Sequence, residues 1–83
     1  EIQMKIKLQG SQGNLATATK MSFATLVRVY NSGAGDLVLT QKEGATVIGT
    51  ITIPSKGIEL IRKMPSETLE GGAALLAVSV AKL

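Results

Sequence analysis

The feature that most limits what this chain can become is a two-residue rhythm of apolar and polar side chains. In Ile2–Gln9, the residues Ile2, Met4, Ile6 and Leu8 fall on one side and Gln3, Lys5, Lys7 and Gln9 on the other. Successive side chains of a strand point to opposite faces, so this run predicts a strand with one face buried and one wet. The rhythm returns in Ser22–Asn31, Asp36–Lys42, Val47–Ile53, Ile58–Lys63 and Leu75–Leu83. Clusters of turn-forming residues separate the runs: Gly10-Ser11-Gln12-Gly13-Asn14, Asn31-Ser32-Gly33-Ala34-Gly35, Glu43-Gly44 and Pro54-Ser55-Lys56-Gly57. Gly and Asn accept positive φ, and Pro54 removes a ladder donor, so each cluster ends a strand. The Asn31–Gly35 cluster predicts a hairpin between the runs on either side. Leu15–Lys20 reads as a loop or an edge strand. Pro65–Leu69 reads as a connection with room for one helical turn, and Gly71-Gly72 as a flexible joint.

Six or seven short strands with turns every ten residues or so predict an all-β domain, a small antiparallel β-sandwich or barrel-like unit. No crossover helix fits between the runs, which argues against a parallel sheet. The two helix competitors are Gly57–Met64 and Ala73–Lys82. Both are short, lack good caps and are rich in β-branched residues. The 83 residues make one domain, 1–83, in which 1–14 form an N-terminal strand and a Gly-rich hinge suited to reach a neighbouring subunit. A chain this small buries only about 60–65% of its unfolded surface, so partner subunits would add to its stability.

Composition narrows the chemistry. There is no cysteine, hence no disulfide or thiolate metal site, and no histidine, the commonest general base and metal ligand. The nine basic residues are scattered, giving a net charge of +3 without a charged run. Aromatic residues amount to Phe23 and Tyr30, too few for a base-stacking platform, so nucleic acid is disfavoured as a partner. No apolar run reaches the roughly 18 residues of a membrane helix, and Ala73–Ala81 is too short to span. No signal-peptide pattern is visible, and the start at Glu1 rather than Met leaves room for an upstream piece.

The remaining candidates for catalysis are weak. Ser55 beside Lys56 is the one Ser–Lys pair worth naming, but adjacency in sequence does not give the geometry a dyad needs. Glu67 and Glu70 sit beside a proline and a glycine pair and read as a solvated loop. Gly33-Ala34-Gly35 lacks the strand-to-helix setting of a phosphate loop. The expectation is a non-enzymatic chain with no cofactor and no metal.

Burial is the more informative signal. Several strands carry apolar residues on both faces: Leu26 and Val27, Leu37 and Val38, Val47 and Ile48, Leu60 and Ile61. One face of a two-layer sandwich is normally wet, so a second apolar face points to packing between subunits. The expected interface residues are Ile2, Met4, Ile6, Leu8, Ile48 and Ile61.

Three stretches resemble small virion proteins of tailed phages, particularly marine short-tailed ones. They are Thr25-Leu26-Val27-Arg28-Val29-Tyr30-Asn31-Ser32-Gly33, then Gly49-Thr50-Ile51-Thr52-Ile53-Pro54, then Ile61-Arg62-Lys63-Met64-Pro65-Ser66-Glu67-Thr68-Leu69. The likeness covers Ser22 to Ala81, and the N-terminal third carries no matching motif. It implies a capsid decoration (cement) protein or another head or tail component. Its partners would be copies of itself and a major capsid or other virion protein, with no membrane. Two alternatives remain open. One is a soluble sandwich that binds a glycan or a protein, with Tyr30 as its platform. The other is a small nucleic-acid-binding barrel.

Overall fold

The computed structural model describes residues 5–82, so Ile2 and Met4 of the expected first strand lie outside the described residues. Eight strands follow in order: β1 (Ile6–Leu8), β2 (Gly13–Leu15), β3 (Leu26–Asn31), β4 (Leu37–Glu43), β5 (Thr46–Ile53), β6 (Ile58–Arg62), β7 (Thr68–Glu70) and β8 (Gly72–Lys82). They form two antiparallel sheets. The first runs β1-β8-β3-β6, with β2 also pairing β8, and the second runs β5-β4-β7. The all-β expectation holds, and among the described residues there is no helix. Ala73–Lys82, a helix competitor by composition, lies within the longest strand, of 11 residues. Its partners β3, β1 and β2 decide the matter, because strand pairing outweighs a weak intrinsic preference.

The core lies between the sheets. Val27, Val29, Leu75 and Ala77 face it from the first sheet, and Leu39, Ile53 and Leu69 from the second, with Leu15 and Ala24 closing its edge. Each large aliphatic side chain removed from water here contributes about 1.5–3 kcal/mol. With scarcely any aromatics, packing rests on β-branched and leucine side chains in alternating positions.

The expected hairpin around Asn31–Gly35 is not formed. Strand β3 pairs with β6 and β8, while β4 pairs with β5 and β7, so the chain changes sheet at this loop. The cause is the fully buried Asn31 side chain. Its Nδ2 donates to the carbonyls of Gly35 (2.9 Å) and Ile53 (2.8 Å), and its Oδ1 accepts from the Gly33 N–H (2.9 Å). The Pro54–Gly57 turn, closed by Gly57 N–H to Pro54 O at 2.8 Å, is the return crossing from β5 to β6. It docks on the same residue: the Lys56 N–H donates to Asn31 O, and the Asn31 N–H to Gly57 O. One asparagine therefore satisfies the backbone of both crossings.

Three further expectations change. The strand expected from Ser22 begins at Leu26, because Met21, Ser22 and Phe23 take left-handed φ values of 53°, 57° and 60°. That conformation costs an L-residue about 1–2 kcal/mol. It is held by the Met21 N–H to Thr19 Oγ1, by the Ala24 N–H to Met21 O, and by the Met21 side chain against the core. Gly71-Gly72 is a tight corner between the sheets rather than a flexible joint. A Cβ on Gly71 would lie 2.6 Å from Val38 O, and Gly72 has φ +125°. Pro65–Leu69 forms a turn (Glu67 N–H to Met64 O, 3.0 Å) and then enters β7, without a helical turn.

Candidate interaction surfaces

The first sheet is apolar on its outer side as well. Leu26, Val78 and Val80 are buried there in a second cluster, with Ile6 and Leu60 packed against them. Cross-strand register explains the gathering. Arg28 sits opposite Leu60 and Val78, Tyr30 opposite Ile58 and Leu76, and Leu8 opposite Val80. Directly opposed residues share a face, so Ile6, Leu8, Leu26, Tyr30, Leu60 and Val78 line one side, with Arg28 and Arg62 among them. Leu8 (65% exposed) and Ile58 stand out toward solvent at its margins.

The second surface is β5. Every residue from Thr46 to Thr52 is exposed, including Val47 (53%), Ile48 (51%) and Ile51 (42%). The strand is joined to β4 by a two-residue loop in which Gly44 takes φ +60°, and it pairs with nothing on its other side among the described residues. Ile48 is the extra residue of a bulge, since Gln41 pairs with Gly49 and Lys42 with Val47. Beside β5 the sandwich gapes. A cleft of about 220 Å³, lined by Leu39, Gln41, Gly49, Thr50, Ile51 and Ile61, separates this edge from β6.

The end of the cleft is polar. Gln41 Nε2 donates to Glu67 Oε1 (3.0 Å), which also accepts the Met64 N–H (2.7 Å). The nearby Lys63 is almost fully buried, its ammonium reaching the carbonyls of Met64 and Pro65 at 3.3 and 3.4 Å. Burial pushes the Lys63 pKa below its ordinary value of 10.5, against the pull of Glu67, and Lys20 adds to the lowering.

The expected interface residues divide between these surfaces. Ile6 and Leu8 lie on the outer face of the first sheet, which Tyr30 shares. Ile48 lies on β5. Ile61 faces inward, half-buried against the core at the cleft. Ile2 and Met4 lie outside the described residues. The residues weighed for catalysis are each taken up in structural contacts. Ser55 Oγ donates to Gly33 O and Lys56 Nζ to Ser32 O, each tying the crossing loop. Glu67 turns to Gln41, and Glu70 forms an ion pair with Lys42. No group of three or more metal-ligating side chains occurs among the described residues. Of β5, sequence reasoning singled out Ile48 and the Val47–Ile48 pair but not the whole strand as an exposed edge; the readable signal was eight consecutive residues, Thr46–Ile53, without a charge.

No protein-family model, curated protein or solved structure matches this chain.

Proposed function

We propose that this chain is a non-enzymatic structural subunit that acts by assembling in many copies, and that its particular role is capsid decoration in a tailed-phage virion. The supporting observation is the outer face of the first sheet. A free sandwich of this size would present polar side chains there, yet Leu26, Val78 and Val80 form a hydrophobic cluster with Leu8 and Ile58 at its margins. Leu26, Val78 and Val80 are themselves buried within the protomer, and the apolar surface left for a protein neighbour is Leu8 and Ile58 beside them. The phage role rests on the sequence resemblance. Native mass measurement is expected to give an oligomer, and purified capsids are expected to retain the protein. A lone protomer at high concentration that no capsid retains would count decisively against the proposal.

A second reading is favoured by Tyr30, which lies half-buried on the same apolar face. A soluble binding module would use this ring against a glycan or a protein. Under that reading, Tyr30→Ala abolishes binding to a glycan-array hit; under the assembly reading, no such hit exists.

A further inference from the structure

We infer that β5 is an edge for self-association: the β5 strands of two copies pair antiparallel about a two-fold axis at Thr50, joining two three-stranded sheets into one. The inference rests on the assembly reading above and names the contact through which two copies meet.

Three observations carry it. The first is the contrast among sheet edges. Strand β6 carries Glu59 and Arg62 within its five residues. Strands β1, β2 and β7 have three residues each, and β7 is also bridged by Thr19. Charge and shortness are the usual protections of an edge. Strand β5 has eight residues, seven of them exposed, and no charge or proline. The bulge at Ile48 ends the unbroken pairing with β4 at Gly49, so the pairs about Thr50 that lie within the regular ladder are Gly49–Ile51 and Thr50–Thr50.

The second is Gly49. It has no positive φ, and a Cβ there would meet nothing within 4 Å. The protomer gives no reason for a glycine at this position, and a glycine inside a strand often marks the approach of another backbone. With the axis at Thr50, Gly49 of one copy stands opposite Ile51 of the other, on the side facing the cleft. The exposed isoleucine then covers the space that the glycine leaves open.

The third is charge. The strand is uncharged and therefore compatible with itself. The charged residues nearest to it in sequence, Glu43 at the end of β4 and Lys56 in the crossing loop, lie off its line. The Thr50 side chains meet on the axis as a cross-strand Thr–Thr pair.

The chain has no cysteine, so single thiols report this register directly. Residues opposed in an antiparallel pair have Cα atoms about 4.5–5.5 Å apart, within disulfide reach. Thr50→Cys is expected to oxidise to a covalent dimer. Val38→Cys, also exposed but one strand inside the edge, is expected not to. Thr50→Lys opposes two ammonium groups across the axis and is expected to weaken association at least about tenfold with an unchanged circular dichroism spectrum. If Thr50→Lys weakens association but Thr50→Cys does not cross-link, another segment occupies the edge and self-pairing is overturned. If neither variant has an effect on a persisting oligomer, self-pairing is overturned and assembly through the first sheet stands. Lone protomers throughout would overturn both.

Discussion

Gly71 and Gly49 sit on opposite sides of the second sheet, and the same methyl group added to each should do opposite things. At Gly71 the chain turns from β7 into β8 so tightly that a Cβ would collide with Leu75 Cδ1 and lie 2.6 Å from Val38 O. At Gly49, beside the cleft, a Cβ would meet nothing within 4 Å. One side of the sandwich is closed, with corners and a buried asparagine tying the layers. The other is open, with a bare strand edge. Packing within the protomer explains the closed side fully and leaves the open side without a reason.

The largest effect should come from the closed side. Asn31→Ala removes three hydrogen bonds and leaves Gly33 N–H and the carbonyls of Gly35 and Ile53 without that partner. It is expected to cost about 3 kcal/mol in urea unfolding. A cost below about 1 kcal/mol would break the view that one residue joins both crossings. Gly71→Ala follows, at about 1–3 kcal/mol, because backbone as well as a side chain must move. On the open side, Ile61→Ala should cost about 1–2 kcal/mol, less than a fully buried deletion, since its side chain only partly leaves water at the cleft. Gly49→Ala should reverse the sign and stabilise the protomer by about 0.5 kcal/mol through lost unfolded-state freedom. It would at the same time crowd Ile51 of a paired copy. Destabilisation of the protomer by Gly49→Ala would remove the contrast.

The smallest effect depends on pH. The folded-state pKa of Lys63 is lowered, so the unfolded chain binds more protons between that value and 10.5. Stability should therefore rise as pH climbs through this window, and the penalty of the buried ammonium is fully present below it. Lys63→Met should flatten that rise in alkaline unfolding curves; an unchanged slope would rule out Lys63 as its source.

Much of the fold was legible in the sequence because alternation is a local property. The runs that became β4, β5, β6 and β8 were readable from it, as were the Glu43-Gly44 and Pro54–Gly57 turns. Assignment of strands to sheets was not, because it depends on where one buried carboxamide finds its carbonyls. Strands β2 and β7, three residues each, are too short to show a period. The left-handed turn at Met21–Phe23 contains neither Gly nor Asn, so nothing announces it. For the interaction surfaces, apolar pairs such as Leu26–Val27 and Leu60–Ile61 foretold a two-sided first sheet. On β5 the pair Val47–Ile48 gave the same signal, but that the strand is a bare edge was not readable, because alternation suggests burial of one face and only the neighbouring strands decide whether that burial occurs.

Asn31 is followed by Ser32, and this gives the joint a chemical lifetime. Deamidation of asparagine begins when the next residue's amide nitrogen attacks the side-chain carbonyl carbon. Here the Ser32 N–H is engaged with Ala74 O at 2.9 Å, and the Asn31 oxygen with Gly33. Folding thus protects the one thermolabile amide on which it depends. Each unfolding excursion lifts that protection. Conversion to aspartate would place a carboxylate against the carbonyls of Gly35 and Ile53, turning a reversible opening into permanent loss.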